Sequence, residues 1–527
     1  MRTIDGGISI DNGTQATSVE LIDSNGKPVE VGSCDNYMVP DLPKGHKEQR
    51  PEDWVSASAW AMKNLRERLE KRNLEIGKVL FVIVNGQMHG EVVMTKDGCE
   101  PTARLWCDSR NEAEGNELTE LFGVKVPTRM TIARWLWTIR NRPEIAAKCT
   151  GLTTPAGWVT YRLCGVHSLG IGEASGMFPI DIETGYYRRD LMVRFDSINE
   201  GTDTIHQLLP TPCKAGRFIG ALNAEGAKIL GLPVGTPVAP PEGDQPAVLA
   251  GTYISAPGQG GGSWGTSICV NWVSDRPFQG VHPAIDHFCD ADGRPINMAW
   301  IKNGTTYANA VITLLQLSRG DRNNDMTYAF VDPLALKAPA DCGGLRALPL
   351  MQIEPATGFV ENAFAMFSGI RWEKSGGKVV TNLTPGNMYK AAFLASVFSS
   401  RLGLEELRRQ GCPVSELTLT GGVLKTRTST RFAASLIASA MNIPVRVLPG
   451  AEEGTAFGGG LLGLFAHRRL TEPGLGYGAF LRQMLGRQTG KVFMPNPEDA
   501  RVYEGMYRQY QALLANVEPA LIGAMQG

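Results

Sequence analysis

Two Gly-Thr steps, Gly13-Thr14 and Gly265-Thr266, stand about 250 residues apart, each beside strand-like sequence. In the first, residues 8–10 read as a short apolar strand running into Asp11-Asn12-Gly13-Thr14, and residues 19–22 resume a strand. Residues 8–22 therefore predict a β-hairpin with a Gly-containing turn. Residues 256–270, APGQGGGSWGTSICV, carry the second step before another apolar segment. The flanking residues share little, yet two such hairpins predict two related domains, residues 1–250 and 251–527, with the boundary near residues 247–257. Strand-like and helix-like stretches alternate along the chain, which predicts an α/β architecture.

Composition narrows what such domains do. Lys and Arg total 52 against 53 Asp and Glu, a formal net charge of −1, so a counterion-driven nucleic-acid binder is not expected. No apolar run approaches the ~20 residues of a spanning helix, so no membrane partner is expected either. The start, MRTIDGGISIDNGTQ, lacks an apolar signal core and reads as mature protein. The ten Cys residues form no C-x-x-C pair, which argues against zinc and fits reduced thiols in a cytoplasmic enzyme.

No G-x-x-x-x-G-K-[ST] occurs. Gly458, Gly460 and Gly463 satisfy G-x-G-x-x-G, but they follow the acidic helix start Glu452-Glu453-Gly454-Thr455 with no strand in front, so they read as small residues for close helix packing. Asp11-Asn12-Gly13-Thr14-Gln15 is either an ordinary hairpin turn or a phosphate cradle. In the second case Gly13 gives close approach, Thr14 adds a hydroxyl and Asp11 is a hard oxygen ligand suited to Mg²⁺. Ser263-Trp264-Gly265-Thr266-Ser267 repeats that chemistry behind Gly260, Gly261 and Gly262. Gly421-Gly422 lies between a strand over residues 417–420 and a helix over residues 430–441, where a flat turn suits a planar adenine.

Residues 79–84, VLFVIV, predict a strand buried on both faces, and Asn85-Gly86-Gln87-Met88-His89-Gly90 leaves its carboxyl end. Ligands of open α/β sheets tend to sit at such loops. Trp106, Asp108 and Arg110 offer an aromatic wall and charged groups for a polyol, or else a buried Trp beside a solvated ion pair. Asp244, in Pro241-Glu242-Gly243-Asp244-Gln245, is either the N-cap of a helix over residues 247–250 or a general base aimed into a cleft. At the C-terminus, Asn496-Pro497-Glu498-Asp499 predicts a capped helix with an apolar stripe of Val502, Met506, Tyr510, Leu513, Leu514 and Val517.

Taken together, these residues resemble the FGGY family of carbohydrate kinases, and within it the xylulokinase-like ketose kinases. Asp11-Asn12-Gly13-Thr14-Gln15 resembles the family's first phosphate hairpin and Gly265-Thr266-Ser267 its second. Gly86-Gln87-Met88-His89-Gly90 matches the sugar loop, the most specific of these motifs. Trp106-Cys107-Asp108-Ser109-Arg110 is similar to W-x-D-x-R. Ala133-Arg134-Trp135-Leu136-Trp137 is similar to the first family signature, with Arg134 where Lys is usual. Gly243-Asp244-Gln245 matches the segment of the catalytic base, and Gly421-Gly422-Val423-Leu424-Lys425-Thr426 resembles the adenosine loop. Departures are Pro241-Glu242 where Gly-rich sequence is usual, Glu173 where many members have Asp, Thr426 where Ser or Asn is common, and residues 351–385, which lack the family pattern.

The resemblance implies two ribonuclease-H-like, actin-like domains, each a mixed sheet flanked by helices, around a cleft. It implies Asp244 as the catalytic base, and Met88, His89, Trp106, Asp108, Asp244 and Gln245 as sugar contacts. It implies ATP on Gly13, Thr14, Gln15, Gly265, Thr266, Gly421, Gly422, Val423 and Thr426, and Mg²⁺ held through water by Asp11 and Asp244. The expected reaction phosphorylates the terminal hydroxyl of a ketose, D-xylulose foremost. Another ketose or a polyol (D-ribulose, L-xylulose, erythrulose, sedoheptulose) stands as the alternative, and an actin- or chaperone-like ATPase without a sugar substrate is the rival of another class. A small-molecule substrate is the expected partner, and a homodimer is compatible with the resemblance.

Overall fold

Alternation of side chains along the strand Leu74–Gly86 organises the first half of the molecule. Val82 and Val84 point into one core with Ile8, Ile10, Leu21 and the helix Pro51–Lys71. Phe81 and Ile83 point into another, on the opposite face. A computed structural model of the chain describes residues 1–199, 204–357, 364–376, 378–424, 426–449, 454–486 and 490–525.

The first sheet runs in the order Gly220–Ala221, Pro237–Val238, Leu74–Gly86, Arg2–Asn12, Ala16–Asp23, Pro28–Asp35, with Glu242–Gly243 also paired to Leu74–Gly86. The second runs Asp286–Cys289, Pro295–Ile301, Ile268–Val273, Gln259–Trp264, Glu416–Thr420, Val445–Val447, Lys491–Phe493. Both contain the same succession: three antiparallel strands, a parallel step onto a strand from farther along the chain, a second parallel step, and an antiparallel edge. The repeat signalled by the two Gly-Thr turns is thus a repeat of topology. Each turn closes the hairpin at the equivalent place, between Arg2–Asn12 and Ala16–Asp23 and between Gln259–Trp264 and Ile268–Val273.

The glycines of the G-x-G-x-x-G stretch explain themselves in the helix Gly454–Arg468. This helix lies on the Phe81 face of the first sheet although it belongs to the second half of the chain. A Cβ on Gly458 would stand 1.8 Å from the Ala247 carbonyl oxygen, one on Gly459 1.7 Å from Asn85, and one on Gly463 2.2 Å from Phe81. They are packing glycines, as expected, although the expected absence of a strand before them does not hold, since Val445–Val447 precedes the helix. Glu452 and Glu453, read as the acidic start of this helix, lie outside the described residues.

The C-terminal helix Pro497–Met525 is capped by the Asn496 side chain, which accepts from the amides of Glu498 and Asp499. Met506, Tyr510 and Leu514 are buried on the second core, while Val502, expected in the same stripe, is 37% exposed. No helix among the described residues is long and apolar enough to cross a membrane.

Candidate active site

Register brings the site together. Asp11 pairs with Asn85 and Asn12 with Gly86 on one side of the central strand, and Glu242 and Gly243 pair with the same two residues on the other. Three chain segments therefore end side by side at one carboxyl edge. They deliver Asp11, the loop Gln87-Met88-His89, and Asp244. The helix Asp244–Gly251 begins at Asp244, with Gly243 in the capping position and no side-chain cap bond. This corrects the N-cap reading of Asp244, whose carboxylate sits in the first turn of the helix, where the macrodipole favours negative charge.

Asp11 and Asp244 are both half-buried and feel each other. Burial, then the Asp244 charge, pushes Asp11 up to about 7, and its Oδ1 has no hydrogen-bond partner among the described residues. Burial also pushes Asp244 up, to about 6, opposed by hydrogen bonds from the Gln245 backbone and side chain and by the Arg129 guanidinium. Gln245 is held from behind: its Oε1 accepts from Asn271 Nδ2 at 2.8 Å.

The sugar-loop residues lie beside this pair. Met88 is buried, and a Cβ on Gly243 would stand 2.4 Å from its Cγ, so Gly243 is required for the loop to pass. His89 adopts a positive φ of 67°, packs on Phe288 at 5.1 Å, and places Nδ1 2.9 Å from the Gly176 carbonyl oxygen. A carbonyl only accepts, so Nδ1 carries the proton. Burial, with the charge of Arg129 next, lowers His89 to about 3. The ring is neutral and its Nε2 is an acceptor.

The turn chemistry differs from expectation in detail. The Gly13 amide donates to Ala16 O and the Gly265 amide to Ser267 O, both at 3.0 Å, so these two amides close their own turns. The Thr14 hydroxyl donates to Gln87 Oε1 and accepts from Trp106 Nε1, each at 3.0 Å. It therefore ties the hairpin to the sugar loop. Gln15 is exposed, and Thr266 N–H has no acceptor among the described residues.

Trp106 is 40% exposed, whereas Asp108 is buried and accepts from the Lys47 amide, the Arg110 amide and the Arg110 guanidinium. The proposed solvated ion pair is thus inverted: the Trp is open and the ion pair is enclosed. The Asp108 carboxylate holds its loop, both oxygens accepting from Lys47 or Arg110.

On the second sheet, Ser263 pairs with Thr420, which brings the Gly265-Thr266 turn beside Gly421-Gly422. Gly421 has φ +94° and a Cβ there would lie 2.7 Å from Trp264 O, while a Cβ on Gly422 would meet open space. Gly422 is exposed beside the Gly265-Thr266 turn. Val423 is half-buried against the second core. Thr426 caps the helix Arg427–Met441 through the Ser429 amide at 3.1 Å, so its Oγ1 is engaged in structure, and Lys425 lies outside the described residues.

Several groups at the site were not anticipated. Arg129, from the first half of the chain, pairs with Asp286 in the edge strand of the second sheet. Glu242, a departure in the sequence, is buried and accepts from the Gly243 amide at 3.1 Å and from the Glu173 amide. Burial pushes it up to about 8, and burial raises the neighbouring Glu173 well above the carboxylate range, so both are neutral acids in the folded protein at moderate pH. The folded state then binds more protons than the unfolded chain between pH about 4.5 and 8, and stability falls as pH rises through that window. Glu242→Gln keeps the accepting oxygen and removes the titration. We expect a flatter pH dependence and a more stable protein at pH 8, checked by urea midpoints of both proteins across that range. The signal that could have found these groups was the presence of acidic residues in otherwise apolar segments.

Two family models describe the chain: the N-terminal domain of the FGGY family of carbohydrate kinases over residues 7–251, and the C-terminal domain of that family over residues 261–467. The chain is 25% identical over 525 residues to a xylulose kinase of Haemophilus influenzae, covering 97% of this chain and 99% of that one. Among solved structures, the xylulose kinase from Rhodospirillum rubrum matches with a TM-score of 0.79 at 20% identity, over 97% of this chain and 99% of its own. The gluconate kinase from Lactobacillus acidophilus matches equally well, at 0.79 and 19% identity over 98% and 99%. The duplicated sheets and paired Gly-Thr turns are those of an actin-like ATPase fold, and the opposed Asp11 and Asp244 beside a Met-His loop suit phosphoryl transfer to a hydroxyl. The chain is a sugar kinase and belongs to the FGGY family of carbohydrate kinases.

Proposed function

We propose that this kinase transfers the γ-phosphoryl group of ATP to the terminal hydroxyl of a ketose, with D-xylulose as the first substrate to test. The observation that carries the reading is the shared edge of Asp11, Met88-His89 and Asp244, with a neutral His89 whose Nε2 accepts from a sugar hydroxyl. The name of the Haemophilus influenzae relative favours a pentulose among the ketoses. In this reading residues 1–250 form the sugar-binding domain and residues 251–527 the domain that holds adenosine.

Phosphoryl transfer has a loose transition state, so positioning and charge stabilisation dominate. Asp244 accepts the proton of the attacking hydroxyl as the oxygen–phosphorus bond forms and ADP departs. The amides of Thr14 and Thr266 face the phosphates, with Gly13 and Gly265 shaping the turns, and Gly421-Gly422 receives the adenine. Asp11, with an orphaned buried oxygen, fits a hydrated Mg²⁺ shared with Asp244. When bound, that ion supplies neutralisation of phosphate charge. Closure of the cleft around the sugar excludes water and suppresses ATP hydrolysis.

The test is a coupled ADP-release screen across C4 to C7 ketoses, alditols and aldonates. Stimulation by a ketose supports the reading; stimulation confined to alditols or aldonates overturns the ketose assignment and leaves the family membership standing. A second check isolates the sugar pocket. His89→Ala is expected to raise KM for the ketose about tenfold or more, since it removes a buried acceptor, and to leave KM for ATP within about twofold. Equal loss for both substrates would indicate a folding defect.

A further inference from the structure

Arg129 is the least explained charged group at the site. It precedes the helix Thr131–Asn141 in the first half of the chain and forms an ion pair with Asp286, in the edge strand Asp286–Cys289 of the second sheet. Its guanidinium lies 5.8 Å from the centroid of the Phe288 ring and 5.9 Å from that of Trp300. Phe288 in turn packs on His89. The Arg129 charge acts on both Asp244 and His89, and Phe288, which the guanidinium faces, is the ring that packs on His89.

A purely structural ion pair does not account for this group. Asp286 already has the Lys125 ammonium 2.8 Å from its Oδ1. Arg129 is therefore a second cation on one carboxylate. Its Nε–H is buried and meets no acceptor among the described residues. A buried donor on a charged group is costly to leave unmade, and a ligand that supplies the acceptor recovers that cost.

The neighbouring groups say what acceptor is wanted. The Asp244 carboxylate and the unprotonated His89 Nε2 can only accept, so they suit hydroxyl groups that donate. Arg129 can only donate. An alditol hydroxyl can also accept from the guanidinium, but a carbonyl or carboxylate oxygen, with no proton to place and more negative charge, is the stronger acceptor for it.

Resting on the sugar-kinase reading above, we propose that Arg129 recognises a proton-free oxygen of the substrate, a ketose carbonyl or an aldonate carboxylate, and selects against the corresponding alditol. Asp286, Phe288 and Trp300 present the guanidinium from the second sheet, so this recognition is complete only when the two sheets face each other as they do here. The residue acts in specificity; the proton transfer stays with Asp244.

Three acceptors of one carbon skeleton test this: D-xylulose, D-xylonate and xylitol, each assayed for kcat/KM with saturating ATP. The proteins are the wild type, Arg129→Gln, and Arg129→Lys, which keeps a charge beside Asp286 but loses the planar fork. We expect both variants to lose about 10- to 100-fold on the preferred carbonyl or carboxylate substrate, the range for a hydrogen bond to a charged group, and less than threefold on xylitol. Loss concentrated on xylulose assigns the guanidinium to a carbonyl, and loss concentrated on xylonate assigns it to a carboxylate. Equal loss on all three in Arg129→Lys, with unchanged melting, overturns the inference and leaves the kinase reading standing, as does the absence of any loss. A wild type that phosphorylates none of the three, nor any acceptor of the wider screen, overturns the kinase reading and this inference with it.

Discussion

Asp244→Asn is expected to lower kcat for sugar phosphorylation by about 10²- to 10⁴-fold, the usual effect of removing a general acid–base group. The substitution keeps the size of the side chain at the first position of the helix Asp244–Gly251 and keeps an oxygen for the Gln245 hydrogen bonds. It removes the ability to take a proton. It also removes a half-buried charge that pushes Asp11 upward, so the folded protein does not lose stability for electrostatic reasons. Melting near or above that of the wild type, with KM for ATP changed by only a few-fold, would separate lost chemistry from lost structure. Steady-state kinetics with the preferred sugar decide it. A variant that retains a third or more of the wild-type kcat would strip Asp244 of its role as base.

Much of this site was legible because its parts are local. A hairpin with a Gly-Thr turn, a six-residue apolar strand followed by Met-His, and an Asp between Gly and Gln are each readable within a few residues. The strand register then does the assembly, since Asp11 and Gly243 flank the same Asn85-Gly86 step. The glycines of the false dinucleotide pattern are packing residues because of their contacts with Ala247, Asn85 and Phe81, and not for want of a strand, since Val445–Val447 precedes their helix.

The remainder depended on distance along the chain. Arg129 and Asp286 are 157 residues apart, and nothing near either residue signals the other. The helix Gly454–Arg468 crosses from the second half of the chain to cover the Phe81 face of the first sheet, so a division drawn from motifs alone misses which residues share a core. Thr14, Asp108 and Thr426 show a different obstacle. Each has the right chemistry for a ligand, yet its polar atoms are already engaged with Gln87 and Trp106, with Lys47 and Arg110, and with Ser429. A sequence reports which donors and acceptors exist, and only the fold reports which are already used.

The same principle marks the ion pair whose loss should cost the most stability. Glu91 directly follows the sugar loop, and Arg104 directly precedes the segment that carries Trp106 and Asp108. Their side chains are 4% and 7% exposed, and Glu91 Oε2 receives both Nε and Nη2 of Arg104, at 2.9 and 2.6 Å. Arg104 also donates to the Arg134 carbonyl at 2.6 Å and to the Thr138 hydroxyl, and that hydroxyl donates to Glu91 Oε1 at 2.8 Å. Arg104→Met leaves the Glu91 carboxylate enclosed with Thr138 alone, and the Arg134 carbonyl loses its donor. Breaking a buried pair from one side costs about 3–5 kcal/mol, because the desolvated charge survives its partner. Replacing both partners, as in Glu91→Leu with Arg104→Met, should recover most of that loss, since no unpaired charge remains. Chemical unfolding followed by far-UV circular dichroism checks the pair of variants. If the single and double variants unfold at the same midpoint, the penalty does not come from the stranded carboxylate. The double variant keeps the backbone bridge from the Glu91 amide to the Arg104 carbonyl but loses the side-chain tie between the 86–90 loop and residues 103–110, and we expect a raised KM for sugar from that loss, read by steady-state kinetics.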